Sequence, residues 1–113
     1  MLTDPPGDER AFKVWLQENA AEVLARMGMC AGARVIDCGC GSGLFTLAAA
    51  RLVGEEGHVL AVDVRPKAVE EVRRKAQKEG LQNVDTRLVE RGPEATAALP
   101  DGADVILLYD VLQ

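Results

Sequence analysis

Between residues 8 and 27 the apolar side chains Phe12, Trp15, Leu16, Ala20, Val23, Leu24 and Met27 recur at steps of three and four. That spacing predicts an amphipathic helix with one buried stripe. Gly28 stands where such a helix would stop. Phe12 and Trp15, its bulkiest apolar groups, are expected to pack on another part of the fold. Beyond Gly28 the rhythm changes. Arg34–Cys38 (RVIDC) is a short apolar run bounded by glycines and reads as a buried strand. Leu44–Val53 (LFTLAAARLV) reads as a helix closed by Gly54, and His58–Asp63 (HVLAVD) as a second strand. Pro66 suits the first turn of a third helix, where its missing N–H costs nothing; that helix runs to about Glu79, buries Val69, Val72 and Ala76, and ends at Gly80. Residues 84–89 form a third strand, 93–98 a short helix, 100–102 a turn and 104–109 (DVILLY) a fourth strand. Strands and helices in alternation, the strands apolar throughout, predict a parallel sheet covered on both faces with right-handed crossovers. Residues 1–7 form a flexible lead-in and 8–113 a single domain.

Composition narrows the picture. A chain of 113 residues holds one core, and with Phe12, Trp15, Phe45 and Tyr109 as its only aromatics that core is aliphatic. A formal charge of −5 argues against a dedicated nucleic-acid binder. Arg73, Arg74, Lys75 and Lys78 are interleaved with Glu70, Glu71 and Glu79, the mixed charge of a solvated helix face. No stretch approaches the roughly 18 apolar residues of a membrane span, and the polar, proline-containing start is not a signal peptide. Three cysteines, Cys30, Cys38 and Cys40, make an odd set beside apolar runs, which fits a reducing, cytoplasmic setting better than a disulfide framework. They lack the paired knuckles of a zinc site, and His58 opens a different strand, so no metal is expected. Cys38 and Cys40 read as small side chains in a tight turn, His58 as a surface residue, and Ser42 has no His–Asp partner that would make it a nucleophile.

The chemistry concentrates in Asp37-Cys38-Gly39-Cys40-Gly41-Ser42-Gly43, between the first strand and its helix. Alternating glycines permit a backbone path and a close ligand approach that a Cβ would block. Set at the carboxyl end of a parallel strand, ahead of a helix N-terminus, the turn makes a shelf for a ligand. Asp37 puts a carboxylate at that strand's end, unfavourable to a pyrophosphate and favourable to a cation. A dinucleotide fingerprint would also need glycine at position 44, which is Leu44. Asp63 ends the second strand, 20 residues after Gly43, where a carboxylate can accept from two ribose hydroxyls; its alternative is a helix-flanking aspartate ahead of Pro66. Glu90 ends the third strand and can accept from an adenine amino group; its alternative is a solvated loop glutamate.

Taken in order, VIDCGCGSG, VLAVDVRPKAVE, NVDTRLVE and LPDGADVILLYDVLQ resemble four successive motifs of the class I (Rossmann-like) S-adenosylmethionine-dependent methyltransferases. The resemblance covers about residues 32–113, and the helix over 8–27 is similar to one that often precedes the family's first strand. It implies a Rossmann-like three-layer αβα fold with a parallel sheet in the order 3-2-1-4, S-adenosylmethionine as cofactor and S-adenosylhomocysteine as product. It assigns Gly39, Cys40 and Gly41 to the methionine and ribose part, Asp37 to the amino and sulfonium end, and Asp63 to the ribose hydroxyls. Val64 then packs on adenine, Glu90 and Arg91 border it, and Tyr109 sits with Asp110 where the fourth strand opens toward the methyl group. Tyr109 and Asp110 are candidates for a general base by location alone, so the catalytic residues stay unnamed.

The family's sheet continues to seven strands, whereas this sequence supplies four and ends at Gln113. The expected consequence is an incomplete fold whose strand over 105–109 is an apolar edge. That edge is open to a second copy in a homodimer or to a partner subunit, unless the chain is a fragment of a longer protein. Two other functions compete with transfer of a methyl group to an unidentified acceptor. One is a non-catalytic S-adenosylmethionine-binding module. The other is an NAD-dependent oxidoreductase, against which Asp37 and Leu44 count.

Overall fold

The computed structural model describes residues 2–90 and 102–107. The elements run α1 (Glu9–Arg26), β1 (Arg34–Cys38), α2 (Leu44–Val53), β2 (His58–Asp63), α3 (Pro66–Lys78), β3 (Val84–Leu88) and β4 (Val105–Leu107). The strands form one sheet in the order β3-β2-β1-β4, all neighbours parallel. The register sets Cys38 opposite Val62 and Asp63 opposite Leu88, so the first three strands end along a common edge. A helix predicted over 93–98 and the end of the strand predicted over 104–109 lie outside the described residues.

Local chemistry explains where the helices begin and end. The Asp8 carboxylate accepts from the N–H groups of Arg10 and Ala11 and caps α1. At the other end Gly28 takes φ 97°, Gly28 N donates to Ala25 O, and Met29 N donates to Leu24 O. This is a Schellman closure, with Leu24 and Met29 buried together. Helix α3 closes in the same way through Gly80 (φ 71°), with Leu81 N on Ala76 O. Helix α2 ends differently: the Asn83 amide, from the start of the third strand, donates to Ala50 O and Gly54 O. Its near-uniform apolarity follows from its place, for it packs against α1, α3 and the sheet.

The three helices share one face of the sheet. Ala20 and Leu24 of α1, four residues of α2 and the strand residues Val35, Val59 and Leu107 form one cluster. Val72 of α3 joins Ala61 and Cys40. Both crossovers lead outward from β1, so right-handedness puts both helices on the same side. The opposite face buries Ile36, Cys38, Leu60 and Val62, and the described residues packed on it are Val89 and Ala103. The parallel sheet, its order and the preceding helix agree with expectation; the described helices make one layer on it.

Phe12 and Trp15 differ from expectation. Both are half-buried and stack on each other, centroids 5.8 Å apart, while Trp15 Nε1 donates to the Thr3 hydroxyl. Met27 is 61% exposed. The inner row of α1 is Leu16, Ala20 and Leu24. With 18 residues α1 is about 27 Å long, whereas α2 with 10 offers about 15 Å, so the ends of α1 overhang their support.

Candidate functional site

The turn between β1 and α2 is built on three left-handed glycines, Gly39 (φ 76°), Gly41 (φ 54°) and Gly43 (φ 90°). An L side chain is disfavoured at each of these angles, and at Gly43 a Cβ would also come within 3.0 Å of Val72 Cγ2. The turn is fastened to the next strand: Gly39 N and Cys40 N both donate to Val62 O, at 2.8 and 3.0 Å. Gly43 N closes it on Cys40 O, and Lys75 Nζ of α3 donates to Ser42 O.

Asp63 sits at the tip of β2 with its side chain 3% exposed. Its Oδ2 accepts from Gly41 N at 3.1 Å and from an Arg65 terminal nitrogen at 2.9 Å; its Oδ1 accepts from Arg65 N at 2.9 Å and Arg65 Nε at 3.0 Å. Burial by itself pushes the carboxyl pKa up, but the hydrogen bonds from Arg65 and Gly41, with the Arg65 charge, outweigh it and hold the group at about 2. The backbone of Asp63 also binds the third strand's end, Asp63 O accepting from Val89 N at 3.0 Å. Three strand tips therefore meet at one corner.

Asp37, the carboxylate of β1, is buried and accepts from the Thr46 hydroxyl of α2 at 2.6 Å. Between the two aspartates lies Cys40, whose thiol is pushed up to about 12 by burial and by the charges of Asp37 and Asp63. Cys38 is raised by burial and by Asp37. Both thiols are neutral at pH 7. Burial is the larger cause at Cys40; the Asp37 and Asp63 charges add to it, and the Arg65 charge works against them.

The sequence-derived candidates thus fall into three groups. Gly39, Cys40, Gly41 and Asp63 come together, with Asp37 directly beneath on β1. Val64, half-buried, and Glu90, exposed, follow the tips of β2 and β3 on the same edge. Arg91, Tyr109 and Asp110 lie outside the described residues. A cavity of about 320 Å³, lined by Arg34, Ile36, His58, Leu60, Asp85 and Arg87 among others, opens elsewhere, along the sheet face away from the helices. Sequence reading passed over two residues that shape the corner. Thr46 had a signal, a hydroxyl in a helix whose other residues, Arg51 apart, are apolar. Arg65 had none, because an arginine two positions after an aspartate marks no pattern by itself.

Comparison with known proteins bears on this arrangement. Residues 30–113 match a family model described as a methyltransferase domain. The chain is 32% identical over 92 residues to a probable cobalt-precorrin-6B C(15)-methyltransferase (decarboxylating) of Saccharolobus solfataricus, covering 81% of this chain and 46% of that relative. It is 42% identical over 67 residues to a ribosomal protein L11 methyltransferase of Dechloromonas aromatica, covering 59% of this chain and 19% of that one. Among solved structures, a SAM dependent methyltransferase from Aquifex aeolicus aligns with a TM-score of 0.68 at 34% identity, over 80% of this chain and 48% of that chain. The chain spans less than half the length of each of these three.

Proposed function

The chain belongs to the class I S-adenosylmethionine-dependent methyltransferase family, and from that premise we propose that it binds S-adenosylmethionine across the β1, β2 and β3 tips and serves methyl transfer to an acceptor. The observation that carries the reading is the 3.1 Å bond between Gly41 N and Asp63 Oδ2, which joins the glycine shelf to a buried carboxylate on the neighbouring strand.

The donor set suits the cofactor. Gly39, Cys40 and Gly41 offer a bare backbone to its methionine and ribose. Asp63 faces the ribose hydroxyls, Val64 the adenine, and Glu90 the adenine amino group, with Arg91 beside it. Asp37, fixed by Thr46, and Asp63 supply negative potential at the sulfonium end, with Tyr109 toward the methyl group. When bound, the cofactor supplies a methyl group made electrophilic by its sulfonium. The protein's part is to hold that methyl in line with a nucleophile, since positioning alone accounts for a large share of such a rate. Cys38 and Cys40, protonated at neutral pH, fill space and do not attack.

Residues 8–113 act as one cofactor-binding domain on this reading. The odd set of cysteines, none in a disulfide, supports a cytoplasmic setting. No described helix is long and apolar enough to cross a membrane. The β4 edge, where Ile106 is 53% exposed, supports a homodimer or a partner subunit.

Calorimetric titration tests the cofactor assignment. S-adenosylmethionine and S-adenosylhomocysteine are expected to bind and NAD is not; Asp63→Ala weakens binding about tenfold or more, as loss of a charged hydrogen-bond acceptor does. Equal affinity for NAD would reverse the assignment.

A further inference from the structure

The corner holds a contact that its ligand-binding role does not explain. A carboxylate offers about four acceptor positions, and on Asp63 four donors use them: two backbone N–H groups, from Gly41 and Arg65, and two from the Arg65 guanidinium. The backbone donors are fixed by the turn and by the start of α3. The guanidinium places Nε on Oδ1 and a terminal nitrogen on Oδ2, one donor to each oxygen. A vicinal diol held by the same carboxylate needs the same two seats. Access points the same way, for the Asp63 side chain is 3% exposed and that of Arg65, lying over it, 57%.

Resting on the reading of Asp63 as the ribose-binding carboxylate, we propose that Arg65 is a positioning residue that keeps the ribose seat closed: its planar fork stands in for the two hydroxyls of a vicinal diol, and a diol ligand enters by displacing it. The backbone bonds from Gly41 and Arg65 stay in place and hold the carboxylate's orientation during the exchange. The exposed arginine side chain leaves by rotation about its own bonds, without movement of strand or helix. Measured affinity is then the intrinsic affinity scaled by the fraction of molecules whose seat is open.

The test uses the full chain and two ligands of different charge, S-adenosylhomocysteine, neutral overall, and S-adenosylmethionine, a net cation. Arg65→Ala is expected to tighten both, each by about tenfold, because the competitor is gone. Arg65→Lys keeps the charge but not the fork and falls between. Tightening of S-adenosylmethionine alone would show a long-range charge effect and overturn the proposal, as would unchanged or weaker binding of S-adenosylhomocysteine. In the unmodified chain the Arg65 Nε–H resonance, protected in the free protein, should become solvent-exchanging at saturation with S-adenosylhomocysteine. A resonance that stays protected overturns the displacement even if the variants do not fold. Absence of binding to every protein is a separate failure, which removes the cofactor reading and this proposal with it.

Discussion

At Asp63 desolvation and hydrogen bonding oppose each other and hydrogen bonding wins, taking the carboxyl from 3.8 to about 2. Because the folded value lies below the unfolded one, the stabilisation is complete above about pH 4 and is lost as pH falls through 2. The size of the shift sets it at up to about 2 kcal/mol. Urea unfolding of the unmodified chain and Asp63→Asn should differ by that order at pH 6, and the gap should close toward pH 2; a gap independent of pH would mean that packing, not charge, is lost. The sequence makes Asp63 and the glycines readable, since a carboxylate on a strand tip beside a glycine-rich turn is a pattern of spacing. Thr46 stands out as a hydroxyl in an apolar stretch, but its bond to Asp37 and the Arg65 fork depend on rotamers, which spacing does not encode. Where a side chain points decides what it does here.

Among the elements, the junction of α2 and β2 leaves least room. A Cβ on Gly57 would lie 2.4 Å from Val53 Cβ and 2.7 Å from Ala33 O. Gly57→Ala should therefore cost about 2 kcal/mol or more in unfolding free energy. Gly7→Ala, where nothing lies within 4 Å, should change it by less than about 0.5 kcal/mol in the same experiment. Equal effects would refute the steric account. Element boundaries were legible because they are written in local chemistry: Gly28, Gly54, Pro66 and Gly80 stand where the helices start or stop. The stacking of Phe12 on Trp15 and the Asn83 bonds to Ala50 and Gly54 were not legible. The first depends on how far α2 extends beneath α1. The second joins residues 33 and 29 positions apart.

For the whole molecule, the parallel sheet followed from alternating apolar strands and helices, and its order from the resemblance to a family. The grouping of the described helices on one face was not anticipated; for α2 and α3 it follows from two crossovers running the same way from β1, and α1 joins them by packing on α2. On the opposite face Ile106 of β4, level with Ile36 of β1, is 53% exposed. An exposed apolar side chain on a sheet face supports the proposed association. Sedimentation should show dimers or larger species at micromolar concentration, shifted toward monomer by Ile106→Lys. A stable, folded monomer at that concentration would remove the proposed dimer.

The Val62 carbonyl, which accepts from both Gly39 N and Cys40 N, belongs to the residue just before Asp63. The separation between the two halves of the corner is thus gauged across a single peptide plane and not summed over the breadth of the sheet. One carbonyl serves as the common anchor of shelf and carboxylate, and the span offered to a bridging molecule is set by two bonds to a single atom.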